Sequence, residues 1–253
     1  MIHSHVYREP EAFKGEVVVV VGAGQSGRDL IVDLASHAKE VFLSNRGDPL
    51  TCPLPSNIHE QPAIKEIHSD GGVIFSNGLM QRADTIILAT GYLYSFPFLS
   101  EESGLQVLNG KRVFPLFKHT VCARHPSCAV IGVNFGSLPF PYFDLQVRWV
   151  LSVWRGEKFL PTEEEMIRSD EETYQKRLRQ GLPPHRAGHH LGPAQWDLYR
   201  ELAVLGGNEP LDPLYEMLYN ESAIGRKNNL MNYKKANFIV LGKDKFARLE
   251  DGV

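Results

Sequence analysis

The most distinctive hydrophobic pattern lies near the start of the chain, where a continuous apolar run changes into helical spacing. Glu16 to Val21 contains five consecutive valines and is followed by Gly22. A run of β-branched residues is typical of a strand buried on both faces of a parallel sheet. One apolar stripe at helical spacing follows and comprises Leu30, Ile31, Leu34, Ala35 and Ala38. Glu40 to Leu43 is predicted as the next strand, so the pattern indicates a βαβ unit.

Shorter segments of alternating character come next. We predict a loop over Arg46 to Pro62, because this stretch is rich in proline and polar residues. Three short strands are predicted over Ile64–His68, Val73–Phe75 and Leu79–Gln81. Asp-Gly and Asn-Gly pairs between them are typical of tight hairpin turns. Asp84 to Ala89 has the composition of another buried strand and is followed by Thr90 and Gly91.

The pattern changes after Tyr92, where prolines and aromatic residues become frequent. We predict a strand over Ala129–Val133, a helix over Leu145–Trp154 and a charged helix over Thr162–Gln180, in which Thr162 and Glu165 are spaced as a capping box. Periodicity is weaker from residue 181 onward. The chain is therefore divided into a leading segment (1–13), an α/β domain (14–90) and a C-terminal region (91–253).

Composition excludes several classes of function. Apolar residues make up 43% of the 253 residues and the formal net charge is −3, which gives no electrostatic reason to expect nucleic acid as a partner. The three cysteines include no Cys-x-x-Cys pair, and no apolar run approaches the roughly 20 residues of a membrane span. The leading residues do not resemble a secretory signal. These features predict a cytoplasmic protein; peripheral association with the endoplasmic reticulum and homo-oligomerisation are left open.

The segment Gly22–Gly27 is the main candidate for chemistry. Its sequence, Gly-Ala-Gly-Gln-Ser-Gly, matches G-x-G-x-x-G, follows the valine strand and begins the amphipathic helix. In such a motif Gly22 permits the tight turn, Gly24 lets the backbone approach a pyrophosphate and Gly27 lets the helix pack on the sheet. The helix N-terminus then faces the phosphates. A purely structural glycine turn in another α/β protein is the alternative.

The residues after the second predicted strand favour NADP over NAD. An NAD site usually has an acidic residue at the end of that strand to bind the ribose hydroxyls. Here the strand runs into Ser44-Asn45-Arg46, and Arg46 can pair with a 2′-phosphate through charge-assisted hydrogen bonds. Asp48 argues mildly against this assignment. Alternatively, Arg46 is an ordinary solvated charge in a loop.

Several strings in a fixed order resemble the flavin-containing monooxygenases. His3-Ser4-His5-Val6-Tyr7-Arg8 resembles the end of the family signature, which precedes the NADP glycine motif. Leu88-Ala89-Thr90-Gly91-Tyr92 resembles the segment that links the family's two nucleotide domains. Residues 115–119 and 139–146 also match family segments. The family's earlier FAD glycine motif has no counterpart in this sequence, so we expect a chain that lacks the N-terminal FAD-binding segment.

The resemblance implies a fold and a chemistry. The expected fold is an α/β, Rossmann-like NADP-binding domain plus the C-terminal remainder of a FAD-binding domain. The implied activity is NADPH- and FAD-dependent oxygenation of soft nitrogen or sulfur atoms in small molecules, with O₂, through a flavin hydroperoxide. Segment 134–146 is expected near the flavin ring. The residues expected to bind the cofactors are Gly22, Gly24, Gln25, Ser26, Gly27, Arg46, Thr90 and Gly91.

Other possibilities stay open. The chain as it stands could be a non-catalytic NADP-binding remnant, or a flavin or pyridine-nucleotide reductase that does not oxygenate. No side chain is assigned a catalytic role. His185, His189 and His190 lie close together in sequence, but no cysteine or carboxylate cluster joins them, so no metal site is expected. Without FAD-domain strands, Val130, Ile131 and Phe143 are expected to be exposed.

Overall fold

A computed structural model describes residues 1–249, and of Glu101 only the backbone. The chain forms two compact units. The first unit contains Met1–Tyr92 together with the segment from Leu218 onward, and the second contains Leu93–Met217. The segment from Leu218, which the sequence analysis groups with residues 91–253, therefore lies in the same compact unit as the βαβ element.

The first unit is built on a parallel sheet. Its strands are β1 (Ile2–His3), β2 (Val17–Val21), β3 (Glu40–Ser44), β4 (Ile58–Gln61), β5 (Ile64–Ile67), β6 (Gly72–Phe75), β7 (Met80–Arg82) and β8 (Thr85–Leu88). Five of them form one sheet in the order β1-β8-β2-β3-β4, and all its pairings are parallel. The other three form an antiparallel sheet in the order β5-β6-β7.

Both faces of the central strand are covered, which explains its uninterrupted valines. Val18 and Val20 pack in one core cluster with the buried stripe of α1 (Gln25–Leu34), whereas Val19 packs in another with Val73 and Phe75 of β6. Alternate residues of a strand point to opposite faces, so each face needs its own apolar layer. Leu30, Ile31 and Leu34 of the predicted stripe are buried on α1, whereas Ala35 is only partly buried and Ala38 is buried beyond the end of the helix.

The second unit combines small antiparallel pairs with helices. Its strands are β9 (Gln106–Leu108), β10 (Arg112–Phe114), β11 (Leu116–Phe117) and β12 (Val121–Cys122), which pair as β9-β10 and β11-β12. Its helices are α2 (Pro139–Trp154), α3 (Glu163–Arg179), α4 (Pro184–Ala187) and α5 (Gln195–Gly206). The predicted capping box of α3 is confirmed, with Thr162 Oγ1 accepting from Glu165 N and Glu165 Oε2 accepting from Thr162 N.

The C-terminal segment returns to the first unit. Helix α6 (Leu214–Asn228) leads into Leu230, which is 2% exposed and packs in the same cluster as Leu30 and Leu34. An antiparallel hairpin of β13 (Asn237–Gly242) and β14 (Lys245–Leu249) follows. These elements complete the first unit, although weak periodicity hides them in the sequence.

Two sequence predictions of local structure are wrong. The predicted loop Arg46–Pro62 contains β4, which pairs with β3. The predicted strand Ala129–Val133 is absent, and only Ala129 forms an isolated bridge, to Val121. Backbone pairing with the region of β12 ends at the hydrogen bond from Val130 N to Thr120 O. Beyond it side chains bond the backbone, because Gln146 Oε1 accepts from Gly132 N and Tyr94 donates its hydroxyl to Val133 O. A strand needs pairing along its length, and apolar composition alone does not ensure it.

The described part of the chain contains no helix that is long and apolar enough to cross a membrane.

Of the apolar residues expected to be exposed, Ile131 is 38% exposed, whereas Val130 and Phe143 are partly buried.

Candidate nucleotide-binding site

The glycine turn lies between the carboxyl end of β2 and the N-terminus of α1. Gly22 has φ +107°, and a Cβ there would lie 2.6 Å from Ala89 O of the neighbouring strand end. A Cβ on Gly27 would lie 1.8 Å from Gly22 O, so the helix could not sit this close to the turn with any side chain at that position. Both glycines are therefore required by the close approach of backbone segments.

Gly24 is different, because a Cβ there would meet nothing within 4 Å. The residue is exposed, as are Gln25 and Ser26 that follow it. Gly24 is also the N-cap of α1 and provides no side chain to bond the first-turn N–H groups. The protein itself does not need a glycine here. An anion lying against the turn does, because a side chain would occupy its place, and the residues present therefore fit a dinucleotide pyrophosphate.

The end of β3 carries an exposed cation, Arg46. Ser44 Oγ donates to Pro62 O at 3.0 Å, and Asn45 Nδ2 donates to Glu60 Oε1 at 2.7 Å. Glu60 Oε2 also accepts from Leu50 N, so this carboxylate is held within the loop. Arg46 is exposed and forms no ion pair with any residue of 1–249. The binding of a ligand phosphate by Arg46 stays a prediction, with which its exposure and lack of an ion pair among the described residues are compatible.

Thr90 and Gly91 follow β8 beside the turn. Both are exposed, and Gly91 has φ +82°. Ala89 N donates to Val21 O at 2.9 Å, which places the end of β8 next to the end of β2. Because strands β2, β3 and β8 are parallel neighbours, their carboxyl ends bring the glycine turn, Arg46 and Thr90 to one edge of the sheet. This is the edge at which open α/β sheets bind ligands.

The structure adds one residue that sequence analysis missed. Arg226 Nη1, in the last turn of α6, donates to Gln25 Oε1 at 2.7 Å. The two residues are 201 positions apart, and no motif surrounds Arg226 that could have indicated the contact.

The second unit contains a buried polar network around two histidines. His189 Nε2 accepts from Val113 N at 2.8 Å, so the proton of neutral His189 is on Nδ1 and is donated to His119 Nδ1 at 3.2 Å. Burial, assisted by the positive charge of Arg112, lowers the pKa of His189 to about 3. Burial also lowers the pKa of His119 well below its ordinary value. Both rings are therefore neutral at physiological pH.

The expected flavin-proximal segment is tied into the same network. Tyr142 donates its hydroxyl to Asn134 Oδ1, and Gln146 Nε2 donates to Tyr142 Oη at 3.0 Å and to Thr120 Oγ1 at 2.8 Å. Asn134 Nδ2 donates to His189 O at 3.2 Å. Within residues 1–249 no group of three or more His, Cys, Asp or Glu side chains is arranged to hold a metal ion. His189, which the sequence places near His185 and His190, is therefore a member of this hydrogen-bonded network.

Comparisons with known proteins agree on one family. The model of the Flavin-binding monooxygenase-like family matches residues 1–51 and 50–186. "Flavin-containing monooxygenase FMO GS-OX-like 9" of Arabidopsis thaliana is 40% identical over 192 residues, which are 73% of this chain and 41% of that protein. "Flavin-containing monooxygenase FMO GS-OX5" of the same plant is 38% identical over 83% of this chain. The chain thus spans less than half the length of the curated relatives it matches.

Solved structures give the same result. S-allyl-L-cysteine S-oxygenase from Allium sativum superimposes with a TM-score of 0.84 and 34% identity over 92% of this chain and 54% of that one. Tmm from a Pelagibacter strain shares the fold with a TM-score of 0.81 at 23% identity. Members of the family are enzymes that use FAD and NADPH. The chain belongs to the flavin-containing monooxygenase family.

Proposed function

We propose that this chain binds NADP(H) through the Gly22–Gly27 turn as part of an NADPH- and FAD-dependent monooxygenase that oxygenates small molecules at soft nitrogen or sulfur atoms. One observation carries the proposal: Gly24 has open space around it, while Gly22 and Gly27 are required by protein contacts. A structural turn explains the latter two glycines and leaves Gly24 unexplained. A phosphate bound against this turn explains Gly24, so a nucleotide-binding turn accounts for all three glycines.

Each residue has a distinct role in this proposal. The N–H groups at the start of α1, from Gln25 and Ser26, donate to the pyrophosphate, and the helix dipole favours its negative charge. Arg46 binds the 2′-phosphate of the adenosine ribose. Thr90 and Gly91 border the same edge and form the hinge after the nucleotide domain. When bound, the reduced nicotinamide supplies a hydride and the flavin supplies the reaction with O₂.

A pyrophosphate site for FAD would have to be separate from the Gly22–Gly27 turn. In the described residues, a glycine turn that follows a parallel strand and begins a helix occurs once, at Gly22–Gly27. Among residues 1–249, no second turn of this kind is present to hold the pyrophosphate of FAD. Oxygenation of sulfur is supported by the family and by the name of the Allium neighbour, which is an S-oxygenase.

Calorimetric titration with NADP⁺ tests the nucleotide site. Gly24→Ala adds one methyl group where the protein has room, so we expect an unchanged melting temperature and an NADP⁺ affinity reduced about tenfold or more, which corresponds to about 1.4 kcal/mol. Gly242→Ala adds the same group in the β13–β14 hairpin, near only Asp244, and is the control. Equal NADP⁺ affinity in all three proteins would show that the turn is purely structural.

A second candidate function is nucleotide binding without oxygenation. The glycine turn and Arg46 support it as well, because they account for nucleotide binding without any contribution from a flavin. The visible absorbance of the purified chain and its products with a thioether and NADPH separate the possibilities. Bound flavin and a sulfoxide product support the monooxygenase. A colourless protein that binds NADP⁺ and yields no oxygenated product supports a non-catalytic binder, and NADPH oxidation without product supports a reductase.

A further inference from the structure

The C-terminal segment packs against helix α1 of the first unit. Leu230 is buried in the cluster that contains Leu30 and Leu34 of α1, and Lys234 Nζ pairs with Asp29 Oδ1 at 2.9 Å. The end of α6 is therefore fixed against the same helix whose N-terminus forms the candidate phosphate site.

Two contacts place the last turn of α6 at the rim of this site. Arg226 Nη1 donates to Gln25 Oε1, the first residue of α1, at 2.7 Å. The backbone oxygen of Lys227 accepts from Thr51 Oγ1 at 3.4 Å, in the loop that follows β3. Arg226 therefore lies between the glycine turn and the loop that carries Arg46. In a Rossmann-like unit, the ribose of the adenosine half lies between these two elements.

The charge at this position is not balanced by the protein. Among residues 1–249, Arg226 forms no ion pair with a carboxylate. Its guanidinium has five N–H donors, of which the contact with Gln25 uses one. It lies beside the positive end of the α1 dipole, which disfavours a cation. A bound phosphate would offset this unfavourable interaction, because its negative charge attracts both the guanidinium and the helix N-terminus. The competing explanation is that Arg226 only complements the negative C-terminal end of its own helix.

We propose that Arg226 binds the 2′-phosphate of NADP(H) together with Arg46, and so is a second determinant of the preference for NADP(H) over NAD(H). The inference rests on the proposed nucleotide site. It assigns a binding role to the C-terminal segment, which carries no recognisable motif. One arginine can already bind a phosphate through planar, charge-assisted hydrogen bonds, and a second arginine on the other side adds positive charge and further N–H donors.

Titration of the full chain with NADP⁺ and with NAD⁺ tests this role. Arg226→Gln removes the charge and keeps a polar side chain, and we expect about tenfold weaker NADP⁺ binding with NAD⁺ binding unchanged. Arg226→Lys is expected to lose less, since it keeps the charge and loses the planar fork. In the double variant with Arg46→Ala, the losses should be less than additive in energy, because both groups serve one phosphate.

The remaining outcomes overturn the proposal. Equal weakening of NADP⁺ and NAD⁺ would place Arg226 at a part common to both nucleotides. Unchanged binding of both would leave Arg226 as a helix-end residue only.

The control variant is Lys65→Gln on β5, which removes an exposed charge elsewhere in the unit and should change neither affinity. If the unmutated chain binds NADP⁺ and NAD⁺ equally, both arginine assignments fail. If it binds neither, the proposed function itself fails.

Discussion

The two compact units are stabilised by different kinds of core. In the first unit, Val18, Val19 and Val20 are all 0% exposed and lie between two apolar layers. In the second unit, Gln146 and Thr120 are equally buried but bond to each other and to Tyr142. Apolar burial has no direction, so the first core depends on area and volume. Buried polar groups cost free energy unless all are paired, so the second unit, which also has an apolar cluster around Leu105, Val113 and Leu116, depends in addition on its polar network.

The largest expected effect tests whether the C-terminal segment belongs to the apolar core of the first unit. Leu230→Ala removes a side chain that is 2% exposed, and we expect a loss of about 3 kcal/mol in the free energy of unfolding, measured by urea denaturation. Leu241→Ala, at a residue 56% exposed in the hairpin, is the control and should change stability by less than about 0.5 kcal/mol. Similar values for the two variants would remove the segment from that core.

A somewhat smaller effect is expected in the polar core of the second unit. Gln146→Leu keeps the volume approximately but leaves Gly132 N, Thr120 Oγ1 and Tyr142 Oη each without one partner. We expect a loss of about 2 kcal/mol, because unpaired buried groups carry their desolvation cost. The measurement is the shift of the urea midpoint of the transition that belongs to this unit.

The control for this experiment is a glutamine on the surface of the same unit. Gln175 Nε2 donates to Glu171 Oε1 on the exposed side of α3, so Gln175→Leu makes the same chemical change in water. Its effect should stay within about 0.5 kcal/mol. A Gln146→Leu variant as stable as the control would mean that the network contributes no more than apolar packing, and the contrast between the units would disappear.

The accuracy of the sequence predictions depends on whether an element is set by a local pattern or by pairing with a distant segment. The βαβ element was predictable because its strand run and helical stripe are local patterns, each set by which faces are buried. Strand β4 was not, because Ile58-His59-Glu60-Gln61 is polar, as is tolerated at the edge of a sheet. Ala129–Val133 has strand composition, but pairing depends on a partner that no local pattern reveals.

Some residues of the candidate site are likewise predicted by local sequence spacing, and others are not. The glycine turn and Arg46 follow directly from sequence spacing around one strand and one helix. The contact of Arg226 with Gln25 joins residues 201 positions apart, and the hydrogen bond between His119 and His189 joins residues 70 positions apart. Such pairs depend on the tertiary fold, so a single sequence contains no periodic pattern that could indicate them.

The smallest expected effect is a pH dependence of stability in the second unit, where burial shifts the pKa values of two histidines and one carboxyl group. His189, with a pKa lowered to about 3 by burial, stays neutral in the folded state, whereas its unfolded pKa is near 6.5. His119 is shifted in the same direction by burial. Their contribution to stability is full above pH 6.5 and is lost as pH falls. Burial outweighs the attraction of Arg112 and raises the pKa of Asp170 to about 6, from 3.8 when unfolded.

Asp170 therefore acts in the opposite sense, and its contribution is full below about pH 3.8 and lost as pH rises through about 6. Between about pH 4 and 6 the lowered histidine pKa values make stability fall with decreasing pH, and the raised pKa of Asp170 opposes this fall. Asp170→Asn removes the opposing group, so its slope over this range should be steeper by about one further proton. Urea denaturation from pH 4 to 7 measures both slopes. Equal slopes in the two proteins would show that Asp170 is ionised in the folded state and that the ion pair with Arg112, at 3.5 Å, outweighs burial.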